Sequence, residues 1–307
     1  MTHTHDTHPP THAHTPATGT LDVPGAALHY EIQGTGPLLL LIPGGAGDAG
    51  MYAALTAELA DRYTVVSYDQ RCMSRSRLDG PPADQEVRVW SDDARRLLEH
   101  LSPEGEAFVM GCSSGAITAV DLLARHPARV RRLIAHEPPL LELLDDPAPH
   151  RALFADVRDT ARSEGVAAAV ARFGEGLDAG RDQQDRHAAE SEQPAEPAEP
   201  AEPAEPAELT PEIQAMAHRM HANMRVFLEH VLCPFSSSTP DLAALRAVAG
   251  RLVLAVGRDS RHQLPLYGPA VRLAELVDCA LVEFPGGHLG AVEKPQDFAR
   301  RLTALLD

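Results

Sequence analysis

The alternation of short β-rich segments with amphipathic helical segments constrains the fold of this chain more than any other feature of its sequence. Strand patterns occur at 27–33, 38–42, 63–68, 107–112, 130–136, 251–257 and 280–284. Helical patterns occur at 51–59, 87–101, 114–125, 242–248, 266–277 and 295–306. Strands that alternate with helices form right-handed βαβ crossovers and a parallel sheet. The sequence therefore predicts an α/β fold with helices on both faces of a mostly parallel sheet.

The alternation is interrupted once, so the predicted core is divided into two parts. Residues 19–140 and 240–307 carry the strand patterns, and residues 141–239 form an insertion between them. Helical patterns within the insertion lie at 151–164, 166–177 and 211–232. We expect the insertion to form a helical cap beside the core.

Two segments of low complexity are predicted to be disordered. Residues 1–18 are rich in Thr, His and Pro and have no apolar run, so they cannot bury the apolar surface that folding requires. Residues 194–208, inside the insertion, are five Pro-Ala-Glu triplets in succession. Proline at every third position prevents a stable α-helix and the glutamates repel one another, so an extended chain is expected.

The composition argues against several classes of protein. The formal net charge of -17 argues against nucleic acid and anionic membranes as partners. The four cysteines are scattered and form no CxxC pair, which argues against a disulfide scaffold and against a structural zinc site. Neither a signal peptide nor a membrane-spanning run is recognisable. We therefore expect a cytoplasmic protein without metal or cofactor, and we make no prediction of its oligomeric state.

Residues 111–115, Gly-Cys-Ser-Ser-Gly, match the pattern G-x-S-x-G between an apolar strand and a helix. A serine on such a sharp turn directs its hydroxyl outward, and the flanking glycines avoid clashes within the turn. Ser113 is therefore the predicted nucleophile. Cys112 is intrinsically more reactive but lies on the strand side of the turn. Ser114, on the helix side, is expected to act through its backbone N–H.

A glycine-rich loop, Pro-Gly-Gly-Ala-Gly at residues 43–47, follows the strand pattern at 38–42. Such a loop leaves backbone N–H groups free to approach a substrate, and acyl transfer needs two such donors for the developing oxyanion. We assign the donors to Gly45 and Ser114, with Ala46 as the alternative to Gly45.

The nucleophile needs a base, and sixteen histidines compete for that role. His288 follows the last predicted strand, and loops after parallel strands share the edge of the sheet where Ser113 lies. His136 and His262 also follow strands and are weaker candidates. Two carboxylates at the same edge are able to orient the histidine, Glu137 after the strand at 130–136 and Asp259 after the strand at 251–257. The residues alone leave this choice open.

These features together resemble the α/β-hydrolase fold family. The chain order of nucleophile, acid and histidine is that of the family. Residues 68–71 (Tyr-Asp-Gln-Arg) and 74–76 (Ser-Arg-Ser) are similar to its segment after the fourth strand, with Cys72 where a glycine is usual. Pro43 replaces the histidine that is common at the start of the oxyanion loop. The resemblance covers both parts of the predicted core and implies an eight-stranded sheet with an inserted cap.

The resemblance also bears on the acid. The aspartate common in the family would fall at Ser260, and Asp259 lies one residue too early. In some members the acid follows the sixth strand, which favours Glu137. Zearalenone-type lactone hydrolases have such a glutamate and a Pro-x-Gly-x-Gly oxyanion loop, a pattern that residues 43–47 match. The implied acid is therefore Glu137, with Asp259 as the alternative.

The predicted activity is hydrolysis of a small-molecule carboxylic ester or lactone through an acyl-enzyme. Ser113 attacks the carbonyl, His288 takes its proton and later activates water, and Glu137 holds the imidazole tautomer. An apolar helical stripe in the cap is expected either to line the substrate pocket or to be plain core packing. The stripe consists of Met216, Met220, Met224 and Phe227.

Two other functions remain open from the sequence. The pair Gly44-Gly45 and residues 69–71 (Asp-Gln-Arg) suggest an aminopeptidase of the proline iminopeptidase type. Such an enzyme needs acidic cap residues to bind the substrate's ammonium group. A non-catalytic ligand receptor on the same fold fits poorly with a complete triad. Epoxide hydrolases and dehalogenases of this fold need a carboxylate nucleophile, which Ser113 excludes.

Overall fold

One sheet of nine strands forms the centre of the protein, whose computed structural model describes residues 16–189 and 211–307. The repeat at 194–208 and most of the predicted tail at 1–18 lie outside the described residues. The strands are β1 Ala17–Val23, β2 Ala26–Gln33, β3 Leu38–Ile42, β4 Thr64–Tyr68, β5 Arg77–Leu78, β6 Ala107–Cys112, β7 Val130–His136, β8 Leu252–Gly257 and β9 Ala280–Phe284.

The sheet is mostly parallel, with the strand order β1-β2-β4-β3-β6-β7-β8-β9. The strands from β4 to β9 along this order pair in parallel. β1, β4 and β5 pair antiparallel with β2. The predicted number of eight strands was wrong, because β5 adds a short ninth strand. The first two residues of β1 fall within the predicted disordered tail, because this mostly exposed edge strand has no apolar pattern that would mark its start.

The helices cover both faces of the sheet, as predicted. They are α1 Ala53–Leu59, α2 Val87–Leu101, α3 Ser114–Arg125, α4 Ala148–Ser163, α5 Val166–Ala189, α6 Pro211–Val226, α7 Leu232–Ser236, α8 Leu242–Ala247, α9 Leu264–Val277, α10 Gly290–Glu293 and α11 Pro295–Leu306. Because successive strand side chains point to opposite faces, Leu40 packs in the cluster with Trp90 of α2. Leu41 packs on the other face in the cluster with Leu55 of α1 and Phe298 of α11.

The inserted helical region comprises α4 to α7. A turn of π-helix, Phe227–Val231, joins α6 to α7 where the sequence predicted one continuous helix. Phe154 of α4 and Phe235 of α7 are buried in the same apolar cluster as the sheet side chains. This packing attaches the insertion to the core. Within residues 16–189 and 211–307, no helix combines the length and apolar character that crossing a membrane requires.

Candidate active site

Ser113 occupies a strained turn between β6 and α3. Its φ angle is 55°, which is uncommon for a residue other than glycine. The turn is tight on both sides: a Cβ on Gly111 would lie 2.5 Å from the carbonyl oxygen of Gly115, and a Cβ on Gly115 would lie 2.3 Å from that of Ile42. The two glycines of the motif therefore allow the turn to pack against the end of β3.

His288 lies in the loop after β9 and contacts Glu137 through its ring. Its Nδ1 lies 2.7 Å from Oε2 of Glu137. An ionised carboxylate only accepts hydrogen bonds, so the proton of a neutral His288 ring is assigned to Nδ1. Nε2 is then the unprotonated nitrogen. His288 and Ser113 line the same cavity, and an unprotonated Nε2 is what a general base for a serine hydroxyl requires.

Glu137 is fully buried at the end of β7. Its Oε1 accepts hydrogen bonds from the Gly257 amide at 2.7 Å and from the Ser260 hydroxyl. Burial raises the pKa of this carboxyl, but hydrogen bonding and charge from His288, with smaller contributions from His136 and Ser260, lower its pKa to about 2. Glu137 is therefore ionised at neutral pH.

Asp259, the alternative acid, lies at the rim of the cavity and is not brought to His288. Its side chain is 57% exposed, and its nearest charged partner is Lys294 at 3.5 Å. The neighbouring residue Ser260 occupies the position where the family usually has an aspartate. Its hydroxyl donates a hydrogen bond to Glu137.

The glycine-rich loop forms a turn in which the amide of Gly47 donates to the carbonyl of Gly44 at 2.9 Å. Gly45 has a φ angle of 55°, a left-handed conformation that suits glycine. Its amide donates to Oγ of Ser114 at 2.9 Å, so this predicted oxyanion donor is already engaged. Among the described residues, the amides of Ala46 and Ser114 have no acceptor. The arrangement favours Ala46, the alternative, as the partner of Ser114.

A cavity of about 560 Å³ lies over Ser113 and His288. Met220, Met224 and Phe227 line it, whereas Met216 does not. Met216 lies one turn earlier in α6 than Met220, and its sulfur would lie 3.7 Å from a Cβ on Gly50 of the core. Its predicted place in the pocket is therefore corrected. The sequence did not single out the other apolar lining side chains, because their apolar spacing looks like ordinary core packing; they include Phe154, Phe173, Leu177, Leu228, Phe235 and Leu266.

Beside the nucleophile, a buried thiol and a buried imidazole are both uncharged. Sγ of Cys112 lies 3.6 Å from Nδ1 of His136. Burial raises the pKa of Cys112 to about 12 and lowers the pKa of His136 to about 4. Cys112 is therefore a protonated thiol at neutral pH and a poor nucleophile. In the part of the chain that the structure describes, no group of three or more His, Cys, Asp or Glu side chains is arranged to hold a metal ion.

Comparison with known proteins identifies the family to which this chain belongs. The family model described as alpha/beta hydrolase fold matches residues 37–185. The uncharacterized hydrolase YraK of Bacillus subtilis (strain 168) is 34% identical over 294 residues, which are 94% of this chain and 96% of that protein. The chain therefore belongs to the α/β-hydrolase fold family and is a hydrolase.

Two further similarities are more limited, one in the length matched and the other in sequence identity. Zearalenone hydrolase of Bionectria ochroleuca is 35% identical over 128 residues, which are 39% of this chain and 46% of that protein. A thermophilic esterase from Thermogutta terrifontis has a similar structure, with a TM-score of 0.65 and 19% identity over 95% of this chain and 98% of the esterase. At that identity the likeness concerns the fold alone.

Proposed function

We propose that the protein hydrolyses uncharged carboxylic esters or lactones through an acyl-enzyme on Ser113. The observation that carries the proposal is the 2.7 Å contact between Oε2 of Glu137 and Nδ1 of His288, on a histidine that shares one cavity with Ser113. A buried, ionised carboxylate on Nδ1 keeps the proton there and stabilises the imidazolium that forms when Nε2 accepts a second proton.

The reaction has two steps, acylation and deacylation, and in each step Nε2 of His288 accepts one proton and gives it up again. Oγ of Ser113 bonds to the carbonyl carbon while its proton passes to Nε2 of His288. The oxyanion accepts hydrogen bonds from the amides of Ala46 and Ser114, and the alkoxide leaves with the proton from Nε2. Water then attacks the acyl-enzyme, gives one proton to Nε2, and the carboxylic acid departs as Ser113 regains that proton.

The lining of the cavity supports an uncharged and largely apolar substrate. A volume of about 560 Å³ is within the usual range for small-molecule sites. Most of the lining side chains are aliphatic, aromatic or Met, and those from described residues include no Lys or Arg. An anionic substrate would be buried without a partner, at a high cost in free energy. The similarity to zearalenone hydrolase points in the same direction, toward a bulky lactone.

The aminopeptidase alternative has less support. It requires acidic side chains in the cap. The described cap residues that line the cavity are all apolar except for Ser236. The carboxylates at the cavity, Asp259 and Glu293, belong to core loops and helices. Proline naphthylamide, assayed beside a nitrophenyl ester, separates the two functions, and we expect turnover of the ester alone.

Replacement of the nucleophile tests the proposal directly. Ser113→Ala removes only a hydroxyl, so we expect intact folding and a loss of kcat on the order of 10⁴–10⁶ with esters and macrolactones. A fluorophosphonate probe should label the native protein at Ser113 and leave the variant unlabelled. Native-like ester hydrolysis by the variant would contradict the proposed function.

A further inference from the structure

Two polar side chains of α6 reach from the cap into the core beside the glycine-rich loop. Asn223 is 4% exposed. Its Nδ2 donates to the carbonyl of Ala46 at 3.0 Å and to Oγ of Ser74 at 2.8 Å, and its Oδ1 accepts from the amide of Ser74 at 2.7 Å. One turn earlier, Nε of Arg219 lies 2.6 Å from Oδ2 of the fully buried Asp48.

These contacts hold the loop on both sides of its free amide. The peptide unit between Gly45 and Ala46 carries the N–H that we assign to the oxyanion. On one side the Gly45 amide is bound to Oγ of Ser114 at 2.9 Å. On the other side the carbonyl of Ala46 is bound to Asn223. The direction of the Ala46 amide is therefore fixed by one hydrogen bond from the nucleophile helix and one from the cap.

The residues after this turn are held by the same helix. Asp48 accepts from the amide of Gly50 at 3.0 Å and from Oγ of Ser74 at 3.1 Å, in addition to its ion pair with Arg219. Because Ser74 also binds Asn223, the cap helix, the glycine-rich loop and the segment after β4 form one connected network. Movement of α6 away from the core would break the contacts at Ala46 and Asp48, on the C-terminal side of the loop.

We propose that Asn223 is a positioning residue for the oxyanion hole, which it maintains by holding the Ala46 carbonyl so that the Ala46 amide faces the reacting carbonyl oxygen. Turnover then depends on the docking of α6, with Arg219 as a second anchor of the same helix. This inference rests on the proposed function. Asn223 acts through the loop and does not line the cavity.

A donor that acts on the oxyanion stabilises the transition state more than the bound substrate. A misplaced donor should therefore lower kcat and leave KM nearly unchanged. For Asn223→Ala and Asn223→Asp we expect kcat to fall on the order of 10²-fold, comparable with the loss of one oxyanion donor. A boronic acid that mimics the tetrahedral intermediate should bind more weakly by a similar factor.

A matched control lies on the same helix. Arg225 is exposed and pairs with Glu229 at 2.7 Å, away from the loop. Arg225→Ala should keep kcat, KM and boronic acid affinity at native values. Arg219→Gln should give a smaller fall in kcat with the same parallel loss of boronic acid affinity, and it provides the test if the Asn223 variants do not fold.

The outcomes are distinguishable. A parallel fall of kcat and boronic acid affinity in folded variants, with native KM, supports the positioning role. A lower melting temperature with native kcat, or a rise in KM alone, would overturn it, because Asn223 would then only stabilise the cap or the bound substrate. Ester hydrolysis that survives Ser113→Ala would overturn the proposed function instead.

Discussion

Glu137 differs from an ordinary loop carboxylate in its backbone as well as in its burial. Its φ angle is 47°, a region that non-glycine residues rarely adopt. Such strain persists only where surrounding contacts determine the conformation. Here the Glu137 amide donates to the carbonyl of Ala255 at 2.9 Å, and the carboxylate is held by Gly257 and Ser260. The end of β8 therefore fixes the direction in which Glu137 meets His288.

Substitution of the two candidate acids tests which one orients the base. Glu137→Gln retains the size of the side chain, but a neutral amide no longer stabilises an imidazolium and is able to donate to Nδ1, which favours the wrong tautomer. We expect kcat to fall on the order of 10⁴-fold. Asp259→Asn should stay close to the native rate, because Asp259 is exposed and faces Lys294. Steady-state kinetics on one ester decides the matter, and a larger loss for Asp259→Asn would contradict the assignment.

The residues predicted at this site share one property that sequence reveals. Ser113, Glu137 and His288 each follow a strand, and parallel strands bring those positions to one edge. Asn223 and Arg219 have no such marker, because the rotation of α6 toward the core is set by contacts with distant loop residues, Ala46 and Asp48. Patterns along the chain carry no information about that rotation, which is also why the pocket prediction failed at Met216.

At the scale of elements, strands with an apolar pattern were predictable, whereas β1 and β5 were not. β3 and β6 are continuous apolar runs because both of their faces are covered by helices. β1 is mostly exposed, and β5 has only two residues, so neither has an apolar pattern. The π-helical turn at Phe227–Val231 was missed for another reason, since a π-turn has the same residue types as the α-helix around it.

The contact between the nucleophile helix and β3 depends on a glycine in α3. A Cβ on Gly115 would lie 2.3 Å from the Ile42 carbonyl oxygen and 2.4 Å from that of Pro43. Because these are backbone atoms, Gly115→Ala should displace the start of the glycine-rich loop and cost about 1–3 kcal/mol of stability. We expect a lower melting temperature together with reduced kcat.

Gly174 in α5 gives the matched control. A Cβ there would have no neighbour within 4 Å, so Gly174→Ala should raise the free energy of unfolding by about 0.4–1 kcal/mol. Thermal unfolding of both variants, followed beside ester hydrolysis, compares the same chemical change in two packing environments. Equal effects on stability at the two positions would contradict the packing argument.

At the scale of the whole molecule, the site of the insertion explains why one cavity contains the candidate catalytic groups. The chain leaves the sheet after β7 and returns before β8. The helices between them are thus attached at the strand edge that carries Glu137. Ser113 follows β6, the neighbour of β7, and His288 follows β9, which lies two strands from β7 at the same edge. The cap encloses this edge with apolar side chains, so the cavity shields a bound substrate from bulk solvent.

Charge at this scale leads to a prediction about substrate choice. The formal net charge is -17, and no Lys or Arg from the described residues lines the cavity. An anionic substrate is therefore repelled at long range and unpaired once bound. Between two esters of equal size, one neutral and one with a carboxylate on the acyl group, we expect the neutral ester to have the higher kcat/KM.

The ionic strength of the assay separates the two causes of this preference. Salt screens charges over about 8–10 Å at 0.1–0.15 M, so it should raise kcat/KM for the anionic ester by weakening the long-range repulsion. The preference for the neutral ester should nevertheless persist in high salt, because the unpaired carboxylate inside the cavity is poorly screened. The measurement is kcat/KM for both esters across a salt series. Equal values at low salt would mean that a cation binds the carboxylate, and the restriction to uncharged substrates would be wrong.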